Sequence, residues 1–522
     1  MLEVFAELLK DGRHDEMLAL VTKLVSRNHE LESLLARLRD SKNRGERVSE
    51  AQLTLALAEL RKSSDATLAD ANATLEKAAE ENGGRPERTK PPRQPALRRK
   101  PSSKLRRVEN LIPVPAAERA CPVCGAARKC IAHEVTEVID LIPAEVIVRL
   151  DIREILACGP CDAELVRAPI GDKVTVGGAY GSRLVADLVV GKYRDGLPLH
   201  RQGEILKRLG LEMPSSSMSD QITWATDLLR PIWRSLQERV LTANVTHVDG
   251  TSLPVRDRDG PRGIVTGSLW GYVGDGESAV YLYTSTGKKL GQRDGEIGPE
   301  DFLTRRRGPI CADAANLFDH LFADGTRVEI GCNMHSRRYF VKALDAGDVR
   351  AAVPLAAFRA LYDVEDAARP LDDAGRLAER QRRSKPVYDE LVAWCEAHRP
   401  GEPPASLLGK AIQYLLNHRV ALSRFLEDGA LPIDNGIVER LHRRPAIGRR
   451  NYLFAGSHAA AERAAIAYSI LGTCLLLDVN PVDYLADILP RLARGIVIAR
   501  DLPAMMPAAW SASRAGVTPS AQ

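Results

Sequence analysis

The sequence predicts a multidomain α+β protein, and three observations carry that prediction. A heptad pattern occupies residues 15–40, two C-x2-C pairs bracket an alternating segment between Cys121 and Cys161, and from Asn244 three strand patterns follow one another ahead of long helical stretches. At 522 residues the chain exceeds one ordinary core, so several domains are expected.

Residues 1–80 read as a coiled-coil or leucine-zipper region. Met17, Leu24, Leu31 and Leu38 recur every seven residues, and Val21, Asn28 and Leu35 fill the intervening a positions. A buried amide such as Asn28 favours a parallel pair in fixed register, so a homodimer or higher oligomer is expected through residues 15–40. The other reading is an amphipathic helix packed on its own protein. Gly45 ends the pattern, and a Leu/Ala-rich helix follows over about 51–79. Residues 81–108 are rich in proline and arginine without apolar period, the composition of a disordered cationic linker. Such a run either tracks nucleic-acid phosphates or serves as a solvated spacer.

Residues 109–170 form the expected zinc-binding domain. Cys121 and Cys124, then Cys158 and Cys161, present four thiolates on two short turns, the ligand set of one structural Zn²⁺. The alternation between them predicts a β-hairpin and hence a zinc ribbon. Cys130 and His133 are spare donors. Residues 171–240 read as helices, the later two joined through Gly210 and a turn over 213–216, with Ser215 to Ser217 as capping candidates. This pattern suits either a plain helical hairpin or a helix-turn-helix-like segment. In the second case Ser219 and Gln221 are the exposed base readers.

Residues 241–470 are expected to be catalytic, with a helical region at 471–500 and a disordered tail over 501–522. The stretches NVTHVDGTSLPV, GSLWGYVGDGE and SAVYLYTST predict a three-strand antiparallel meander with Asp249 in its first strand. Asp313 ends a further apolar strand, and another strand begins at Arg327. Asp434 and Asn435 are good caps for a short helix that sets Asn435, Glu439 and Arg443 on one face and points Ile437 and Leu441 inward. Asp249, Asp313 and Glu439 thus occupy a strand, a strand end and a helix, an order that suits a site for two Mg²⁺ ions about 3.5–4 Å apart performing phosphoryl transfer. Arg440, Arg443, Arg444, Arg449 and Arg450 surround the glutamate as phosphate-contact candidates, although a surface ion pair explains the same pattern. Tyr452 and Phe454, interleaved with basic residues, suit base stacking, and core packing is the competing and favoured reading. Cys332 and His335 are possible ligands of unassigned role.

VDGTSLPV, the strand ending in Asp313, CNMHSRRYF, IDNGIVERLHRR and GRRNYLFAGS together resemble the transposase of the insertion sequence 66 family. The resemblance covers nearly the whole chain. It implies a ribonuclease H-like α/β catalytic core, and since well over a hundred residues separate Asp313 from Glu439, more than such a core needs, the Ala-, Leu-, Glu- and Arg-rich residues at about 341–430 are expected to form a helical insertion. It also implies an Asp-Asp-Glu triad on Asp249, Asp313 and Glu439, zinc on Cys121, Cys124, Cys158 and Cys161, element ends and target DNA as partners, and companion proteins encoded by the element. Its expected activity is metal-dependent 3′-end cleavage and strand transfer. The chain departs from the family pattern at Gly250, where an acid is usual, at Ala314 and Ala315 in place of Gly-Tyr, at Gly436 in place of asparagine, and at Asn333 and Met334 between Cys332 and His335.

The formal charge of +4 is modest but uneven, with basic clusters near 85–107 and 440–450. No apolar run approaches the roughly 20 residues that span a bilayer, and the N-terminus lacks a signal-peptide pattern, so a cytoplasmic protein is expected. Nine cysteines, four of them at metal-ligand spacing, point away from a disulfide framework.

Overall fold

A computed structural model describes residues 144–156, 166–168, 178–260, 263–285, 296–313, 319–495 and 500–514. The heptad segment, the cationic linker, the cysteines 121, 124, 130, 158 and 161, and His133 lie outside these residues.

Strands β1 (Ile155–Leu156) and β2 (Val166–Arg167) pair antiparallel. Residues 144–154, within the stretch expected to supply a hairpin, carry no strand. The alternation there buries no face, since Ile147, Val148, Leu150 and Ile152 are all exposed. Four helices follow: α1 (Ser182–Tyr193), α2 (Leu199–Arg208), α3 (Ser215–Leu228) and α4 (Arg230–Thr242). The sequence reads the last two as one helix. Pro231, which lacks an N–H, breaks it at Leu229 and opens α4 instead.

The meander follows as β3 (Thr246–Arg256), β4 (Ile264–Gly274) and β5 (Ser278–Thr284), as the strand patterns predict. After α5 (Pro299–Thr304) come β6 (Gly308–Ala312) and β7 (Arg327–Gly331). The five strands make one mixed sheet in the order β5-β4-β3-β6-β7, antiparallel from β5 to β3 and parallel from β3 to β7.

Beyond β7 the chain is helical: α6 (Asn333–Asp345), α7 (Ala352–Ala368), α8 (Asp373–Glu379), α9 (Lys385–His398), α10 (Leu407–Asn417) and α11 (Arg419–Ser423). All but α8 share a core that includes Phe340, Phe358, Leu361, Ile412 and Phe425. Arg380 is buried at its edge, paired with Glu365 at 2.7 Å. Its guanidinium also donates to the carbonyls of Phe425, Asp428 and Leu431. That bundle of bonds fixes the segment entering α12 (Gly436–Tyr452).

The chain continues as α13 (His458–Leu476), α14 (Pro481–Ala493), α15 (Leu502–Met505) and α16 (Pro507–Arg514). Helix α13 lies along the edge strand β5, where Ser469 and Thr473 accept from the N–H groups of Tyr281 and Ala279 at 2.7 and 3.0 Å. This blunts an edge that would otherwise present unpaired backbone. By length and composition α13 alone among the described helices is apolar enough to cross a membrane, which qualifies the reading of the apolar runs, but most of it is buried against the sheet and neighbouring helices. Helix α1 packs on α3 and α14 through Val185, Leu188 and Val189, all buried. The expected disordered tail is helical to Arg514. Trp510 stands edge-on to Tyr484 and donates to Asp487 at 2.8 Å, and Met505 and Met506 are buried.

Candidate active site

The parallel pairing of β3 with β6 ends at the register His247–Cys311. Asp249 and Asp313 each lie two residues further on, so both carboxylates follow the β3–β6 pairing on the same side, Asp249 within β3, which runs on beside β4, and Asp313 just past the end of β6. That end is where open sheets with parallel strands bind ligands. Asp249 is half-buried, and its Oδ1 accepts from the Gly250 N–H at 2.8 Å.

Glu439 arrives from α12, whose start is stitched to β3 by Asn435. This fully buried side chain donates to the Val248 carbonyl at 2.7 Å and meets His247 Nδ1 at 3.1 Å, while its backbone N–H donates to Cys332 Sγ at 3.2 Å. Asn435 was expected to cap the helix beside Asp434. Only Asp434 does so, accepting from the Gly436 N–H at 2.8 Å. Burial pushes the His247 imidazole down to about 4, so it stays neutral beside the amide.

The inward face of α12 is Val438, Leu441, His442 and Pro445, whereas Ile437 is half-buried. The helix comes this close to the sheet because Gly271, opposite Asp249 in the β3–β4 ladder, has no side chain. A Cβ there would lie 2.8 Å from His442 Cε1 and 3.1 Å from Val438 Cγ2. The Tyr281 hydroxyl bonds His442 Nδ1 at 3.2 Å, which leaves Nε2 facing Asp249 Oδ2 at 3.4 Å. Burial pushes this imidazole down to about 4 as well.

The Asp249 carboxyl responds to both of the other acids. The Asp249 carboxyl is pushed up to about 7, first by burial, then by the neighbouring Asp313 and Glu439 charges, against the Gly250 N–H and Arg338. Arg338 Nη2 contacts Glu439 Oε2 at 3.2 Å, and His335 Nδ1 lies 3.5 Å from Oε1. The three carboxylates lie near enough for two of the charges to act on the third, and carboxylate oxygen is the ligand type a hard divalent cation takes. Glu439 Oε1 accepts no hydrogen bond among the described residues.

The arginines divide by helical position. Arg440, Arg443 and Arg450 are exposed. Arg444 is half-buried and donates to the Arg194 carbonyl at 3.1 Å, and Arg449 reaches the Thr251 hydroxyl at 2.8 Å and Ser252. The last two therefore serve the fold in this conformation. The chain after α12 then returns to β3, where Ala455 exchanges bonds with Pro254 and Arg256 at 2.9 and 2.8 Å. Tyr452 packs inward, its hydroxyl 2.6 Å from that of Tyr468, and Phe454 is half-buried. Of the two expected readers on α3, Ser219 is exposed, but Gln221 is buried, because it falls on the inward stripe with Met218, Ile222 and Ala225.

His442, Tyr281, Arg338 and the inward role of Asn435 escaped the sequence reading. Only the spacing of Arg338, one turn after His335, hinted at a shared face.

Family models give the decisive comparison. Residues 177–463 match the model described as Transposase IS66 family, and residues 118–162 match the zinc-finger binding domain of transposase IS66. The chain belongs to the IS66 family of transposases. The family's catalytic-domain match takes in α1 through the start of α13 and so contains the whole acidic site, and its zinc-finger match spans Cys121, Cys124, Cys158 and Cys161. Among curated relatives, the uncharacterized protein y4hP of Sinorhizobium fredii is 31% identical over 72% of this chain and 70% of its own length. The uncharacterized proteins y4qI and y4jD of the same organism are 30% and 28% identical, over 80% and 76% of this chain and 78% and 79% of theirs.

Proposed function

We propose that this family member is an Asp-Asp-Glu transposase that cleaves the 3′ ends of its insertion sequence and joins them to target DNA. The observation that carries the reading is that Asp249 and Asp313 lie just beyond the β3–β6 pairing and that Asp313 and Glu439 both act on the Asp249 carboxyl. The mixed strand order, three antiparallel strands followed by two parallel ones, supports a ribonuclease H-like core.

Asp249, Asp313 and Glu439 would hold two Mg²⁺ ions, carboxylate oxygen being the ligand type that hard cations take. When bound, such a pair activates the attacking water or 3′-hydroxyl and stabilises the leaving oxygen. The chain's own groups set the stage for this. Strand β3 and the end of β6 fix the aspartates, the Gly250 N–H orients the Asp249 carboxylate, and the Asn435 clamp holds α12 so that Glu439 faces them. Arg440, Arg443 and Arg450, exposed on the same helix, bind DNA phosphates as charge-assisted donors. The reading also includes a structural Zn²⁺ on the four finger cysteines, end recognition through the zinc-binding and helical segments with Ser219 exposed, and a homodimer or higher oligomer formed through residues 15–40.

Purified protein incubated with Mg²⁺ and DNA bearing the element's terminal repeats tests the reading. Joined products, which require a 3′-hydroxyl nucleophile, are expected. Hydrolysis without joining would identify a nuclease, and binding without either product a catalytically lapsed DNA-binding protein.

A further inference from the structure

Cys332 ends the turn after β7 as the N-cap of α6, and His335 follows in the first turn of that helix. The step of three residues puts both on one face. Glu439, in the first turn of α12, meets them there, and one ligand atom from each of the three lies within 4.8 Å of the others. We propose that Cys332, His335 and Glu439 form a site for one borderline-soft divalent cation of the zinc type, additional to the finger zinc and to the carboxylate-bound pair. Its consequence for the reaction rests on the reading of Glu439 given above.

The donor set argues for the class of ion. Thiolate, imidazole and carboxylate together suit zinc-like cations, whereas a hard cation such as Mg²⁺ takes oxygen alone. Spacing argues for coordination over simple pairing. The His335 Nδ1 to Glu439 Oε1 separation of 3.5 Å is too long for a good hydrogen bond. It matches the ligand–ligand edge of a tetrahedron, about 3.3–3.8 Å, that follows from metal bonds of roughly 2.0–2.3 Å.

The framework is rigid as well. Cys332 is fully buried, which holds its thiol well above the usual range until a cation takes the proton's place, and its sulfur accepts the Asn435 N–H at 3.2 Å. Binding removes the thiol proton, so one proton is released per cation. Three protein ligands leave a fourth position open. A cation held here grips Glu439 by Oε1 and leaves Oε2, the oxygen that Arg338 contacts at 3.2 Å, for the reacting site.

Zinc counting on the full chain tests the proposal. Protein stripped with chelator, reloaded with Zn²⁺ and freed of excess is analysed by mass spectrometry of the metal, alongside circular dichroism for fold. His335→Ala and Cys332→Ser are each expected to retain one zinc fewer per chain than the parent. In a Cys121→Ser/Cys124→Ser background, Co²⁺ is expected to give a thiolate-to-cobalt absorption that Cys332→Ser removes. Should Cys332→Ser fail to fold, the half-buried His335→Ala carries the comparison. Equal zinc in His335→Ala and parent overturns the site, and leaves a metal-free contact between His335 and Glu439. The two readings fail separately. Loss of strand transfer in Glu439→Gln with zinc unchanged in His335→Ala sinks only the zinc site, and the converse pattern sinks only the transposase mechanism.

Discussion

Asn435 donates through its side-chain amide to the carbonyl of Val248 at 2.7 Å, one residue before Asp249 and four before Glu439. One buried amide thus ties the strand of the first acid to the helix of the last. Asn435→Ala removes this bond and orphans the Val248 carbonyl in the core, a loss of about 1–3 kcal/mol. The midpoint of thermal unfolding should fall by several degrees, and strand transfer should fall further than the remaining folded fraction explains. An unchanged midpoint would refute the clamp.

Gly271 bears on the same approach from β4. A Cβ there, 2.8 Å from His442 and 3.1 Å from Val438, forces α12 outward. Gly271→Ala should fold but lose roughly tenfold to a hundredfold in joining rate, since misplacement of a reacting group by about 1 Å has that scale of effect. Joining at the parent rate would show that the helix yields without cost.

Gly250 stands where the family usually carries an acid, and Trp270 lies directly across the ladder from it. A Cβ on Gly250 would meet the indole at 2.8 Å. Gly250→Ala is expected to destabilise by about 1–3 kcal/mol through overpacking. Combined with Trp270→Leu it should cost less than the sum of the single changes, and strictly additive costs would exclude the packing explanation.

Arg380 is nearly inaccessible, and its charge is met by Glu365 and by backbone carbonyls of the segment before α12. Arg380→Ala leaves Glu365 without its partner and should cost about 3–5 kcal/mol. Limited proteolysis would then cut first within residues 425–435. Parent-like resistance there would separate this arginine from the placing of α12.

The three acids were legible in the sequence because each sits at a recognisable boundary: a strand before Gly250, a strand end, and a capped helix. What periodicity does not encode is which faces meet. The amide of Asn435 reads as a cap because Asn is a good one, yet its neighbour Asp434 takes that role and the amide turns into the core. Gln221 reads as exposed by its polarity, although its position on α3 places it on the apolar stripe. His442 gives no signal at all, since its contacts with Tyr281 and Asp249 depend on a glycine in another strand. The tail shows the same limit: Trp510 docks on Tyr484 from a segment whose composition predicts no order.

The central claim is that Asp249, Asp313 and Glu439 act as one metal-dependent site, and single isosteric substitutions test it most directly. Asp249→Asn, Asp313→Asn and Glu439→Gln, each assayed with Mg²⁺ and terminal-repeat DNA, are expected to reduce strand transfer to background while end binding and thermal stability stay near the parent's. Parent-level joining by any one of the three folded variants would contradict the account.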